Sequence, residues 1–331
     1  MEKSGVLFSI VIPVFNVGNE LIRCLDSLIN DGYTDYEVIL VDDGSTDGIT
    51  ANICDEYVKK YPFFFCVHKK NEGCVFARKD GALLARGRYL TFCDGDDYVS
   101  KSYLNSLHTA VEHDADIYCL NNYLNYEGRQ EFYVEKQNLT TGYATLGWLQ
   151  EKIFTVQMAA VWDKIYNTEK FVNAIGQATA SINFGEDAYI NACYIQNTDK
   201  VYVQNTADYY HFVDSPTSVC ANDIKIKRLY EIDVQYNSIV QLIQSSKRND
   251  LLDRFMQTIC GMYFRTLASL VVNGESKKLL KESMNQQLVY QQISLWKPKR
   301  MKDRIYRLLV KEKAFGAMKF LVKVRGEKWK Y

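Results

Sequence analysis

The sequence carries no net charge: 40 Lys and Arg balance 40 Asp and Glu over 331 residues. Neutrality of that kind excludes a chain that binds nucleic acid or another polyanion with its whole surface, because such binding depends on uncompensated cations. Spacing for a structural metal is missing too. Nine cysteines stand singly, with no Cys-x-x-Cys pair, and none of the four histidines completes a zinc pattern. The thiols therefore read as reduced and mostly buried, as in the cytosol. No apolar run reaches membrane-spanning length. The stretch from Val6 to Phe15 is short, is broken by Pro13 and is followed by no small-residue cleavage site, so neither a signal peptide nor a transmembrane helix is expected. Internal repeats and low-complexity linkers are absent.

What is present is a 47% hydrophobic composition, enough to bury a sizeable core, in a length that suits two domains or one α/β domain with a large extension. The first 120 residues alternate short apolar runs with helical patterns, which predicts βα units building a parallel sheet. Strands are expected at Phe8 to Val14, Glu37 to Val41, Phe63 to Val67, Tyr89 to Phe92 and Ile117 to Leu120. Helices are expected from about Asn19 to Gly32, over Ile49 to Lys60, over Gly73 to Arg86 with Asn71 before it, and over Lys101 to His113. The middle is less regular, with a hairpin around Glu127 and Gly128 and helices over Leu146 to Ile153 and Asp187 to Gln196. Beyond Asn222 the pattern is helical almost to the end.

In an open parallel sheet, ligands collect outside the carboxyl ends of the strands, where strand order switches. Those ends are loaded here: Pro13-Val14-Phe15-Asn16 after the first strand, Asp42-Asp43-Gly44-Ser45-Thr46-Asp47 after the second, and Asp94-Gly95-Asp96-Asp97 after the Tyr89 strand. Acids alone repel a diphosphate, so a hard divalent cation, Mg²⁺ or Mn²⁺, must lie between them, and Asp94 and Asp96 are the candidates to hold it. The Asp-x-Asp pattern itself is weak among 23 aspartates. A second one, Asp114 and Asp116, precedes a strand and is expected at the wrong edge of the sheet. Asp42 and Asp43 have two readings: a turn that caps a helix, or carboxylates that accept from a base imide or a ribose hydroxyl with Phe15 as a stacking face.

The segments FSIVIPVFN, EVILVDDGSTD, NEGCVFARKDGALLARGRYLTFCDGDD and GED resemble, in order and rough spacing, family 2 glycosyltransferases, in particular the bacterial branch that builds capsule, exopolysaccharide or O-antigen repeats. The resemblance is dense from Phe8 to Val99 and patchy to Ser218. It implies an α/β fold of the GT-A nucleotide-diphospho-sugar transferase type with a C-terminal helical extension. Residues 1–220 would be the catalytic domain (1–120 its nucleotide half, 121–220 its acceptor half), 221–296 the helical extension and 297–331 a basic tail. It further implies that Asp43 takes the base and that Phe15 stacks near it, with Pro13, Val14 and Asn16 lining the pocket. Asn71, Gly73 and Arg78 would border the nucleotide. Asp94 and Gly95 would lie at the ribose and phosphates, with Asp96 as main metal ligand. A solvated helix face fits Arg78 equally.

Inverting transfer needs a carboxylate that takes the acceptor's proton. By the same resemblance that base is Asp187, in the pair Glu186-Asp187, with a helix cap as its other reading. Trp162, in VWDKIYNTEKF, would stack on an acceptor sugar or sit in a core. His211, in YYHFVDSPTSV, stands where relatives carry an aromatic, an Arg and Ser-Ile. The Arg is missing, and His211 either meets the metal or the diphosphate in its place or is structural. The implied partners are a UDP-sugar and a glycan acceptor.

The last 35 residues, 297–331, hold thirteen Lys and Arg against three acids. Ile305, Leu308 and Leu309 form one apolar face, and Phe315, Met318, Leu321 and Val322 another, with the phase slipping near Glu312 and Gly316. Two short basic amphipathic helices are expected, either lying in a membrane interface under a lipid-linked acceptor or packed on the catalytic domain with a solvated basic rim. The enzyme would then work on the cytoplasmic side, at the inner face of the cell membrane. A non-catalytic sugar-nucleotide binding module and a sugar nucleotidyltransferase are the competing readings. Intact Asp96 and Asp187 favour the enzyme, and no Gly-rich basic loop follows the first strand.

Overall fold

The computed structural model describes residues 5–30, 32–126, 129–132, 139–155, 157–176, 185–212 and 225–325. They fall into two compact units. One comprises residues 1–153, 157–183 and 190–222, the other residues 154–156, 184–189 and 223–331.

The first unit begins with β1 (Phe8–Val14), α1 (Glu20–Ser27), β2 (Tyr36–Asp42), α2 (Thr50–Lys60), β3 (Phe64–His68), α3 (Cys74–Leu84) and β4 (Tyr89–Phe92). These are the expected βα units. All seven residues of β2 are buried, so its apolar run shows no alternation, as befits a parallel strand covered on both faces. The chain continues through β5 (Tyr98–Val99), α4 (Tyr103–Val111), β6 (Ile117–Tyr126), β7 (Arg129–Phe132), β8 (Gly142–Ala144), α5 (Leu146–Phe154), β9 (Lys164–Asn167), α6 (Thr168–Ile175), α7 (Glu186–Tyr194) and β10 (Val201–Phe212).

Among the described residues the sheet has ten strands in the order β3-β2-β1-β4-β9-β6-β10-β5, with β7 on β6 and β8 on β10. Strands β1 to β4 run parallel, β9 enters antiparallel between β4 and β6, and β10 runs parallel to β6. The carboxyl ends of β1, β2, β3, β4, β6 and β10 therefore share one edge. Strand order reverses at β1, which has β2 on one side and β4 on the other.

Two glycines allow the close packing that shapes this edge. A Cβ on Gly81 would come within 2.3 Å of Val11, so α3 lies directly on the sheet. Gly44, at φ +77°, has the Asn71 amide 2.8 Å from where its Cβ would be, which draws the loop after β2 against the chain leading into α3. Several boundaries differ from expectation. The third helix starts at Cys74 with Gly73, at φ +97°, as its cap rather than Asn71. Asn19 makes no side-chain cap bond to α1. Strand β6 runs six residues past Leu120. Glu127 and Gly128 lie outside the described residues, and the strands that flank them pair antiparallel, Tyr126 opposite Arg129.

The second unit contains α8 (Lys227–Ser245), α9 (Leu252–Val272), α10 (Lys277–Asn285), α11 (Leu288–Leu295), α12 (Met301–Lys311) and α13 (Phe315–Arg325). Helix α9 is its core element, with α8, α12 and α13 packed on it. With the turn before it, residues 249–272 form the one helix among the described residues that is long and apolar enough to cross a membrane, which corrects the expectation that no such run exists. Yet 67% of its apolar window is buried inside the protein. That is the pattern of a core helix. Residues 326–331, the end of the expected basic tail, lie outside the described residues.

Candidate functional site

The loops after β1, β2 and β4 meet at the point of strand reversal. Asn16 adopts φ +54°, a left-handed conformation that Asn tolerates better than most residues. Its side-chain oxygen accepts from the Thr46 amide at 2.7 Å and the Asp47 amide at 3.2 Å, and its own amide donates to Ser45 Oγ at 3.0 Å. The β1 and β2 loops are thereby tied together. Phe15 beside it is 45% exposed, a large apolar side chain left facing out at a strand end.

Asp42, the last residue of β2, and Asp43 after it are both buried. Asp42 accepts from the Ser45 amide at 2.9 Å and pairs with His68 Nδ1 at 2.7 Å. Asp43 accepts from the Glu72 and Gly73 amides at 2.9 and 2.8 Å. Its carboxylate thus seats the start of α3, and each oxygen retains a second lone pair. The turn-and-cap reading of these acids describes bonds that exist, and it leaves room for the ligand reading.

Arg78 does not lie on a solvated helix face. It is 2% exposed, and its Nη2 meets Asp94 Oδ1 at 2.9 Å. The cation is driven under the sheet edge because α3 sits so close to β1, and it fixes one oxygen of the first acid after β4. Asp96 is half-buried, and its carbonyl accepts from Arg23 Nη2 at 2.6 Å. The Arg23 guanidinium also stands over the rings of Tyr98 and Phe212 at 5.0 and 4.7 Å. In sequence Arg23 reads as an ordinary surface residue of α1.

Asp97 is fully buried. It accepts from the Tyr209 hydroxyl at 2.6 Å and the Phe212 amide at 2.8 Å, and it pairs with His211 Nδ1 at 3.1 Å. The same Tyr209 oxygen accepts from the Asp94 amide at 3.0 Å. Strand β10 is in this way locked to the acid turn. Burial on its own would lower the pKa of His211, but the charge and hydrogen bond of Asp97, with Asp94 and Asp96 nearby, lift it to about 9. An imidazolium cannot ligate a metal, and a cation bound by these acids would remove much of what holds the proton. Trp162 is 8% exposed and lies flat on Tyr209 and His211, with ring centroids 4.6 and 5.3 Å apart. Its surroundings fit the core reading of this indole, and contact with an acceptor would fall to its edge. Residues 213–224, beyond His211, lie outside the described residues.

Among the described residues no three His, Cys, Asp or Glu side chains gather into a metal cluster, so Asp94, Asp96 and His211 are not a ready-made ligand set. Two hard carboxylates on one tight turn nevertheless fit Mg²⁺ or Mn²⁺, which take one or two protein carboxylates and complete their shell from phosphate oxygens and water.

Asn71 is exposed and Gly73 half-buried beside Asp43. A separate concavity of about 550 Å³, lined by Leu83, Arg88, Asn167, Thr168 and others, lies at the amino end of β4, away from the acid loops.

Glu186 and Asp187 form the first turn of α7, and residues 184–189 cluster with the second unit. Gly185 before them has φ +76°, and a Cβ there would come within 2.2 Å of the Gln235 side chain. Gln235 Nε2 donates to the Gly185 carbonyl at 3.3 Å. The Glu-Asp turn is therefore held from α8, a partner 50 residues away that no local pattern announces.

A mixed sheet with its acids at the β1/β4 switch is the architecture of the GT-A nucleotide-diphospho-sugar transferases. The S. aureus TarS 1–349 structure, solved in complex with UDP-GlcNAc, superposes with a TM-score of 0.67 at 17% identity, covering 94% of this chain and 91% of that one. At that identity the likeness is one of fold. Residues 9–172 match the model of glycosyl transferase family 2, and through this segment the chain belongs to that family. Glycosyltransferase GlyG of Streptococcus pneumoniae is 36% identical over 137 residues, 40% of this chain and 45% of GlyG. The uncharacterized glycosyltransferase EpsJ of Bacillus subtilis is 27% identical over 298 residues, 87% of this chain and 85% of EpsJ. The chain thus spans less than half the length of GlyG.

Proposed function

We propose that the chain transfers a sugar, with inversion, from a nucleoside-diphosphate donor of the UDP-sugar type to a hydroxyl of a lipid-linked glycan, in the synthesis of a bacterial surface polysaccharide. The observation that carries the reading is the pair of acid loops flanking the β1/β4 crevice, with Asp43 seated on amides at the head of α3 and Asp94 on buried Arg78. A nucleotide in that crevice would stack its base by Phe15, between Pro13, Val14 and Asn16, and offer its imide to Asp43. It would then pass Asn71, Gly73 and Arg78 to reach Asp94 and Gly95 with its ribose and phosphates.

Asp94 and, chiefly, Asp96 would hold Mn²⁺ or Mg²⁺ with His211 beside them, and that cation would supply charge neutralisation to the diphosphate. On the acceptor side we assign Asp187 as the base, with Glu186 and the edge of Trp162 as sugar contacts. Asp187 takes the proton of the acceptor hydroxyl while the acceptor's oxygen bonds to the anomeric carbon. The bond from that carbon to the phosphate oxygen breaks, and the nucleoside diphosphate leaves. Because the acceptor is carried on lipid, we place the enzyme on the cytoplasmic side, at the inner face of the membrane.

Calorimetry of UDP and other nucleoside diphosphates, with Mn²⁺ and then with chelator, tests the donor half. UDP should bind at least about tenfold more tightly with the metal. Indifference to chelator, or no nucleoside-diphosphate binding at all, would remove the reading. Asp187→Asn tests the acceptor half: UDP affinity should persist while transfer falls by about two orders of magnitude or more.

A further inference from the structure

The two terminal helices present their apolar residues on two opposite sides, and only one side is used by the core. On α12 the inner side carries Tyr306 and Val310, both buried, with the Tyr306 ring lying flat on Phe264 of α9 at 4.2 Å. The outer side carries Met301, Ile305 and Leu308, which are 68%, 44% and 53% exposed. At 100° per residue these three fall on one stripe, opposite Asp303, Tyr306 and Val310. Helix α13 repeats the arrangement. Phe315 and Met318, the residues expected from sequence to enter a membrane, are instead buried in the second unit, while Phe320 and Val324, one turn apart, are 66% and 65% exposed.

Single exposed apolar residues need no explanation, but here five large ones form two stripes. The exposed charges around them are of nearly one sign. Among the described residues of α12, α13 and the turn between them, Lys302, Arg304, Lys311, Lys319 and Lys323 are exposed, against Glu312 alone, because Asp303 is buried and paired with Arg300 at 2.5 Å. A soluble helix surface mixes both signs. Apolar stripes ringed by cations match a layer with an anionic face above an apolar interior.

We propose that the outer stripes of α12 and α13 dock on an anionic lipid surface, with Met301, Ile305, Leu308, Phe320 and Val324 entering the headgroup boundary and the flanking Lys and Arg pairing with lipid phosphates. The inner stripes keep the helices folded on α9 throughout, so docking requires no unfolding of the tail. The inference gives the proposed membrane-borne acceptor a physical route to the enzyme, and it does not depend on the transfer chemistry.

The test is sedimentation of the full-length protein with vesicles of phosphatidylcholine alone or of phosphatidylcholine mixed in equal parts with phosphatidylglycerol. Binding should require the anionic lipid and weaken as salt rises, because surface attraction is screened over about 8 Å at physiological ionic strength. The triple change Ile305→Ser, Leu308→Ser and Phe320→Ser should reduce binding by about tenfold or more while melting temperature and UDP binding stay unchanged, since all three side chains already face outward. Lys302→Glu with Lys311→Glu should abolish the preference for phosphatidylglycerol. The proposal is overturned if the triple variant binds vesicles as the parent does, if neutral and anionic vesicles bind alike, or if the triple change alters the sedimentation velocity of the lipid-free protein, which would mark the stripes as a contact between copies. None of these readouts uses donor or acceptor, so failure here leaves the transfer reading standing, and absent UDP binding leaves this one standing.

Discussion

The chain contains the same three-residue pattern twice, and the two copies have opposite fates. Asp114-x-Asp116 sits at the amino edge of β6. Asp116 accepts from Lys170 Nζ at 2.6 Å and from the Asp199 and Lys200 amides at 2.9 and 3.0 Å, and Asp114 pairs with Lys200. Its acids stitch loops together. Asp94-x-Asp96 sits at the carboxyl edge of β4, where one acid is backed by a buried arginine and the next residue, Asp97, does the structural work for both. Edge, not motif, separates the pair that ties loops together from the pair to which the proposed reading assigns the ligand.

The largest difference should appear when the second acid of each pair is removed. Asp96→Ala is expected to cost about 10²–10³-fold in transfer and most of the metal-dependent gain in UDP affinity, while leaving the melting temperature near that of the parent. Asp116→Ala should do the reverse, lowering stability by about 1–3 kcal/mol, since it strands two amides, with UDP binding intact. Thermal melts and calorimetry on both variants check this. Equal loss of UDP binding in the two would erase the distinction.

Next in size is the cation behind each acid. Arg78 is almost wholly buried, whereas the Lys170 side chain is 40% exposed. Arg78→Met should destabilise by about 3 kcal/mol or more by leaving Asp94 beside an apolar group. Lys170→Met should cost less than about 1 kcal/mol. Denaturant unfolding at neutral pH measures both, and a small loss at Arg78 would mean that Asp94 is solvated rather than pinned.

A smaller contrast separates Asp97, the acid next to the first pair, from Asp114, the exposed member of the second. Asp97→Asn keeps the shape but weakens three bonds to a carboxylate, so a loss of about 1–3 kcal/mol is expected. Asp114→Asn, on a side chain 84% exposed, should fall within about 0.5 kcal/mol of the parent.

These pairs also mark where sequence reading succeeds and stops. Strands β1, β2 and β4 were legible because each is a buried apolar run, closed by Phe15 and Asn16 after β1 and by acids after β2 and β4, and their order along the chain places these ends at one edge. The Asp97 network was not, because its partners lie 112 to 115 residues away, and no local period reports a contact at that range. Strand β9, only four residues long, slips in antiparallel and leaves no trace in the apolar pattern. In the tail the helical spacing was readable but the choice of inner face was not. Tyr306 and Val310 on one side of α12, and Ile305 and Leu308 on the other, are equally apolar, and only packing on α9 separates them. Arg78 shows the same limit from the other direction, since a charged residue on a helix reads as surface until the closeness of α3 to β1 is known.

The smallest expected effect asks whether an acid at the carboxyl edge also holds the fold, and Asp42 is the one to probe. His68 pairs through Nδ1 with Asp42 at 2.7 Å and through Nε2 with Asp55 at 3.1 Å, with Cys66 Sγ 3.6 Å away. The hydrogen bond to Asp42 is the main cause that lifts His68 to about 9; burial opposes it and Asp55 assists. A histidine whose folded pKa lies above its unfolded value of 6.5 adds stability that is complete below that value and is lost as pH rises through about 9. Because the His68 side chain is 42% exposed, screening should hold the gain under about 1 kcal/mol, and the melting temperature should fall by only ~2 °C between pH 6 and about 9. Melts of the parent across that range, set against His68→Asn, isolate this contribution, since the substituted chain should lose the slope that His68 supplies and keep the rest. An unchanged slope in His68→Asn would show that the pH dependence arises elsewhere and that Asp42 is held by the Ser45 amide rather than by His68.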